Sequence, residues 1–385
     1  MHPATYPLQD KAFFAILEAH PNLDDRDNRG KTHSLPFVLM GVIMALLAGR
    51  DGNLSAIHRH MKNQFQALCL ALSVEAKRVI SRAQLPRLLA RVDHTLLAQL
   101  IGQHYGLSLP EGFVDWLSGD GKELRGSIAK GQQRGEVCVS IMAQVPAGVV
   151  AQTHYNGCKE SERPAILNLL TDHDLLKRKT VLDALHFTPE LLKAIQEAKG
   201  TYLIGLKHNQ PLLRRSCFIQ TMLQPPGFER LDAPLRKHGR QEERTYACFA
   251  IDTMSKAGRW QLVGMATLVR GIRVRRTLTG VQTSRTTSYF VSNQIVKTAL
   301  EANDLYDAIR GHWQIETMHY CRNVVLAEDD LQSKLSSLQR TISNLRTLAM
   351  SLLQLLRPKN MAAQLDTFAD YVHDLITFLK RKLVL

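Results

Sequence analysis

Three acids are the residues of this sequence best suited to do chemistry. They are Asp120 in "SGDGKELRGS", Asp183 closing "KTVLD", and Glu316 in "IRGHWQIETMHY". Carboxylate oxygens are the ligands that hard divalent cations prefer. Two such ions, about 3.5–4 Å apart, drive phosphoryl transfer when several acids converge on one point. Lys122 and Arg125 follow Asp120 and suit phosphate oxygens, while His312, Trp313, His319 and Tyr320 sit three or four positions from Glu316, on its side of a helix. Each acid also has a plain structural reading: a turn residue, a strand-end cap and a solvated helix acid. Spacing alone leaves both readings open. No GxxxxGK[ST] loop, GxSxG elbow or HExxH helix offers a rival chemistry.

The elements around these acids read as an α/β arrangement. Asp183 ends an apolar strand, and the carboxyl edge of an α/β sheet is where ligands are met. Residues 135–145 and 148–156 are β-rich runs joined through "PAG", a hairpin signature. A helix is predicted in "ESERPAILNLLTDHD". Another covers 187–200, with Thr188 as cap, Pro189 in the first turn and Gly200 as stop, and a strand follows over 201–207. A hairpin followed by helix, strand, helix, strand predicts a mixed sheet. The stretch before Asp120, "DWLSG", is weakly strand-like.

Residues 1–110 read as a helical N-terminal domain carrying many cations, either a DNA-recognition module or a plain bundle with solvated charges. Within it, "LPFVLMGVIMALLAG" (35–49) is short of the ~20 residues a bilayer requires. Ser34, Pro36 and Gly49 give it the caps of a buried soluble helix. Residues 111–210 form the first part of an α/β domain, 211–295 a β-rich insertion, 296–357 its last part with Glu316, and 358–385 a helical tail. Leu335, Leu338, Ile342, Leu345, Ala349, Leu352 and Leu356 recur in heptads, so the last long helix reads as a core helix or a coiled coil.

Lys plus Arg number 49 against 35 Asp plus Glu, a net charge of +14. That surplus points to a polyanionic partner, nucleic acid or an anionic membrane. Six scattered cysteines without CxxC spacing point to reduced thiols in a cytosolic protein, and the opening residues lack a signal peptide's basic-then-apolar run.

The ordered set "DGKELRGS", "KESE", "LDAL", "GTYLIGLKHNQPLL", "HGRQEER", "IRGHWQIE" and "EDD…NLRTLAMSLL" resembles the H-repeat-associated (ISAs-one-type) insertion-sequence transposases of the DDE superfamily. The resemblance runs from about residue 27 to 356. It implies an α/β, ribonuclease-H-like mixed sheet with helices, an N-terminal helical domain and a β-rich insertion. It also implies metal-dependent DNA strand cleavage and strand transfer at insertion-sequence ends, with Mg2+, or Mn2+ as a substitute. Asp120, Asp183 and Glu316 become the catalytic, metal-holding acids. Lys122, Arg125, Lys207, Asn209, Gln210, His238, Arg240, His312 and Trp313 become contacts to DNA or within the site. The implied partners are terminal inverted repeats and target DNA, with a homo-oligomer assembled on DNA, no membrane, and a bacterial, nucleoid-associated cytoplasmic location.

One segment departs from the family pattern. "ETMHYCRNVV" is one residue shorter, with Asn323 where the family has aspartate, and a one-residue deletion turns the rest of a helix by about 100°. Glu328, Asp329 and Asp330 follow, either compensating or unconnected with the site. Two further readings stand beside an active transposase. One is a catalytically impaired relic that acts as a DNA-binding protein; the other is a general metal-dependent nuclease.

Overall fold

Trp116–Glu123 form strand β1 although Ser118, Gly119 and Gly121 have little strand propensity. Burial decides the matter, because Trp116 to Gly119 are all buried and pair in parallel with a neighbouring strand. The structure is a computed structural model and describes every residue except 1–4, 6–9, 28, 30, 51, 158–160, 238 and 252–257. The chain forms two compact units: Gly112–Asp120 with Ile166–Ile315, and His2–Glu111 with Gly121–Ala165 and Glu316–Leu385.

In the first unit β1 pairs with β4 (Lys179–Leu182), and β4 with β5 (Thr201–Leu206), all parallel. β10 (Gln282–Ser292) then adds antiparallel to β5, followed by β9 (Thr267–Thr277), β8 (Arg240–Ala250) and β6 (Phe228–Leu231), with β7 (Leu235–Lys237) also on β8. α7 (Glu162–Asp172) precedes β4; parallel strands need crossovers, and α8 (Pro189–Glu197) supplies the one between β4 and β5. Thr188 caps it by accepting from the Leu191 N–H. α10 (Ala299–Gly311) lays Ala302, Leu305 and Tyr306 on a core shared with Trp116, Val181, Leu203 and Val269.

The segment that follows Gln210 is helical, α9 (Pro211–Leu223), and the β-rich part starts only at Phe228. Pro211 stands at the first helical position, and Leu213, Cys217 and Gln220 recur at three and four spacing on the buried side.

The second unit is mainly helical: α1 (Phe13–Glu18), α2 (Leu35–Leu47), α3 (Leu54–Asn63), α4 (Phe65–Leu72), α5 (Gln84–Leu89) and α6 (His94–Tyr105). It also holds the antiparallel hairpin β2 (Glu136–Ala143) with β3 (Gly148–Asn156). α12 (Ser336–Leu356) runs through its middle, against α6, α2, α5 and the hairpin. Leu338, Ile342, Leu345, Ala349 and Leu352 are buried, as are Ser343, Asn344 and Arg346 between them, so the heptad spacing belongs to a core helix. α13 (Met361–Asp370) and α14 (Val372–Arg381) close the unit. α2 is buried on every side, with the Ser34 hydroxyl accepting from Phe37 N–H and Gly49 beyond its end at φ +61°. Among the described residues no helix is long and apolar enough to cross a membrane. The mixed sheet, its helices and the helical N-terminal region are those of an α/β, ribonuclease-H-like fold.

Candidate active site

The parallel register of β1 and β4 runs Ser118 opposite Val181 and Gly119 opposite Leu182. The residue after each is an aspartate, Asp120 within β1 and Asp183 just past the end of β4. Residues at one level of two parallel strands point to the same face, and neighbouring strands lie about 4.8 Å apart. Both carboxylates therefore leave the sheet together.

Asp183 also caps the 3-10 turn Ala184–His186, its Oδ1 accepting from Leu185 N–H at 2.7 Å. The strand-end-cap reading is thus true of Asp183 and compatible with chemistry at its second oxygen. That oxygen lies 3.8 Å from Nζ of Lys207, whose side chain is 70% exposed. Asn209 and Gln210 turn their amides inward. Asn209 donates to the Ala184 carbonyl at 2.6 Å and Gln210 to the Phe187 carbonyl at 3.1 Å, while Gln210 Oε1 accepts from Arg259. The "KHNQ" segment thereby braces the turn that holds Asp183.

His312 occupies the break between α10 and the next helix, α11 (Trp313–Val324). Burial pulls its imidazole below the ordinary range. Asp120 and Asp183 oppose that shift, while His186 and Lys207 add to it. Both aspartates, the lysine and the imidazole therefore share one field within the first unit. The Nδ1 of His312 is buried with no hydrogen-bond partner among the described residues. The lowered proton affinity keeps this imidazole neutral at neutral pH, with its ring nitrogens able to serve as hydrogen-bond donor and acceptor beside the two carboxylates. Glu316 falls in the first turn of α11, exposed, as a residue of the second unit.

In kind, the aspartate oxygens suit a hard divalent cation. Among the described residues, no group of three or more His, Cys, Asp or Glu side chains stands close enough to hold a metal ion.

The rest of "DGKELRGS" folds back within the second unit. Lys122 Nζ reaches Asp329 Oδ1 at 2.7 Å and Glu328 Oε2 at 3.5 Å, and its side chain is only 10% exposed. The backbone N–H of Arg125 donates to the same Asp329 oxygen at 3.3 Å, leaving its guanidinium 76% exposed. Asn323 accepts from the Asp329 N–H at 3.2 Å, so this residue helps shape the acidic turn Glu328–Asp330. Glu328 is buried against Arg322, which donates to its two oxygens at 2.5 and 2.9 Å and also to Thr347 and Ser343. A Cβ on Gly126 would stand 2.2 Å from the Leu331 carbonyl, which explains the glycine of "RGS". A Cβ on Gly121 would meet the Glu162 side chain at 2.7 Å.

His238 lies outside the described residues. Arg240 and Trp313 meet at a cleft of about 250 Å³ lined also by Glu242, Arg244, Arg273 and Arg275. Sequence reasoning passed over these last three arginines. The alternation in "RQEER" and "RVRR" was the available signal, but it becomes informative only once the two strands are known to be partners.

Residues 120–352 match the family model described as "Transposase DDE domain". The chain is 24% identical over 284 residues to "Putative transposase YncI" of Escherichia coli O157:H7, covering 68% of this chain and 70% of that protein. It is also 24% identical over 279 residues to "H repeat-associated putative transposase YhhI" of Escherichia coli K12, covering 68% and 72%. "Putative protein YbfL" of the same strain matches at the same identity, length and coverage.

Proposed function

The chain belongs to the Transposase DDE domain family, and on that premise we propose that it cuts and joins DNA strands at the ends of an insertion sequence. The observation that carries this reading is the pair Asp120 and Asp183, level on adjacent parallel strands with His312 in their field. Glu316 joins them as third acid through its place in the ordered motifs. Asp120 and Asp183 would hold Mg2+, or Mn2+ as a substitute, with Glu316 the further ligand that the ordered motifs assign. When bound, the metal supplies the charge that activates a hydroxyl nucleophile and stabilises the departing 3′ oxygen.

The other residues divide by what they touch. Lys207 and Arg125 keep exposed cations for the DNA backbone, as does Arg240, with Trp313 beside it. His238 joins this set through its place in "HGR". Asn209 and Gln210 act as positioning residues that hold the Asp183 turn. Lys122, bonded to Asp329, anchors the outgoing end of β1. His312, kept neutral by burial, orients groups beside the two aspartates by hydrogen bonding. The DNA partners are terminal inverted repeats and a target, and joining two ends calls for at least two copies of the chain. The location is the bacterial cytoplasm, at the nucleoid.

The test is a strand-cleavage assay on labelled DNA carrying the element's own ends, with magnesium, with manganese and with chelator. Metal-dependent nicking and joining at the element boundary supports the proposal. Nicking without end specificity would make the protein a general nuclease. Salt-sensitive binding without cleavage would make it an impaired, DNA-binding relic.

A further inference from the structure

Side chains two apart on a strand share a face. Arg240, Glu242 and Arg244 therefore stand on one face of β8. In the β8–β9 register Glu242 opposes Arg275 and Arg244 opposes Arg273, so both β9 arginines share that face. Around the cleft, then, four guanidiniums surround one carboxylate. Glu242 engages two of them, accepting from Arg244 at 2.5 and 2.9 Å and from Arg275 at 3.1 Å. Among the described residues, Arg240 and Arg273 form no ion pair. Arg276 and Glu243, on the opposite face, are matched one to one at 3.6 Å.

Gathering unmatched like charges on one face opposes folding, so a surplus of this kind points to an anion supplied from outside. The field agrees. Burial, then Arg275, with Arg244 and Arg240 behind it, lowers the proton affinity of Arg273, against a partial pull from Glu242. The wall of the cleft is Trp313, half exposed, and a flat aromatic beside cations suits a base next to its phosphate. A cleft of about 250 Å³ is on the scale of one nucleotide.

We infer that this cleft seats one phosphate of a single-stranded nucleic acid between Arg240 and Arg273, with its base against Trp313, and that Glu242 competes with that phosphate for the arginines. The inference rests on the proposed action on DNA. It adds a subsite and an internal competitor to that reading. A free nucleoside phosphate shares the same chemistry; strand continuity is what separates the two sources.

Trp116 and Trp260 are buried at 4% and 8% exposure against 50% for Trp313, so quenching of tryptophan fluorescence reports on the cleft. The ligands are a short oligodeoxythymidylate, a duplex of equal length and dTMP. The proteins are the full-length chain, Arg240→Gln, Arg273→Gln and Glu242→Gln, each checked for a cooperative thermal transition. Arg240 is exposed, so its variant tests the inference even where an Arg273 variant fails to fold. The oligonucleotide is expected to quench more strongly than either other ligand. Each arginine variant should bind it about tenfold more weakly, with a salt slope smaller by about 0.7. Glu242→Gln should bind it severalfold more tightly. Unchanged affinity and slope in both arginine variants, or weaker binding by folded Glu242→Gln, overturns the subsite while DNA action stands. Equal quenching by dTMP overturns the strand as its source. A wild type that binds no DNA in any form overturns the proposed function itself.

Discussion

Asp120 on β1 and Asp183 just past β4 each follow directly on the registered pair Gly119 and Leu182 of two parallel strands. Residues 63 apart in sequence are brought side by side because β4 is the parallel neighbour of β1, and α8 then carries the chain on to β5. The turn after Asp183 keeps that aspartate in place, and two amides from the end of β5 hold the turn.

Asn209→Ala removes the bond to the Ala184 carbonyl. A lost hydrogen bond of this kind costs about 0.5–1.5 kcal/mol of stability. Cleavage should fall about tenfold, the rate change that corresponds to about 1.4 kcal/mol, with DNA affinity unchanged. Denaturant unfolding, single-turnover cleavage and a binding titration check this together. An equal drop in affinity and rate would assign Asn209 to DNA contact instead.

Glu328→Gln leaves the Arg322 guanidinium buried without its counter-charge. Breaking a buried pair from one side costs about 3–5 kcal/mol, whereas replacing both partners by apolar groups is often near neutral. Arg322→Met combined with Glu328→Leu should therefore be more stable than Glu328→Gln alone. Urea midpoints decide it. A double variant no better than the single one would show that the pair contributes through its wider network.

Acid should destabilise the protein in two stages. Burial, with Arg322 and Arg340, pushes His154 down to about 3, so below its ordinary 6.5 the unfolded chain binds a proton that the folded chain refuses. Stability is full above pH 6.5 and declines as pH falls toward 3. For Glu328, burial pushes upward, but Arg322, Lys122 and Arg346 override it and hold the carboxyl at about 2. Its contribution is full above 4.5 and is lost as pH falls through 2. Melting temperature against pH should fall from about 6.5 and steepen below 4.5. His154→Gln should make the first stage shallower, with His60, which burial lowers to about 4, keeping part of it, and should leave the second.

Gly126→Ala forces a methyl group to within 2.2 Å of the Leu331 carbonyl. Overpacking costs about 1–3 kcal/mol, and this clash is with backbone. Gly112→Ala is the control, since nothing lies within 4 Å of its Cβ position. Thermal unfolding should separate the two. Equal melting temperatures would mean that the Arg125–Ser127 turn is free to move away from Leu331.

Local rules made much of this fold readable from the sequence. Ser34 before α2, Thr188 and Pro189 at the start of α8, and the β-rich runs of β2 and β3 around their turn all follow from caps, composition and turn signals. Asp183 was readable as the end of an apolar strand. β1 was harder, because a buried parallel partner and not propensity makes "WLSGDGKE" a strand. α9 hid behind its strand-rich surroundings. Arg322 and Glu328 are six apart, a spacing that fits no helical pairing, and Glu328 meets Arg322 only because the chain turns at Ala327. The arginine face required the β8–β9 register, which no local pattern supplies. His312 looked like one flank of Glu316, but its strongest charged neighbours are Asp120 and Asp183.

Asp183→Asn tests the central claim most directly, because asparagine keeps an acceptor for the Leu185 N–H and loses only the charge. Cleavage and DNA binding are measured side by side, in magnesium, on DNA carrying the element's ends. Cleavage should fall by about a thousandfold or more, the scale expected when a metal-holding charge is removed, while affinity changes by less than about twofold. Wild-type cleavage by Asp183→Asn, or equal loss of binding and cleavage, would contradict a catalytic pair at Asp120 and Asp183.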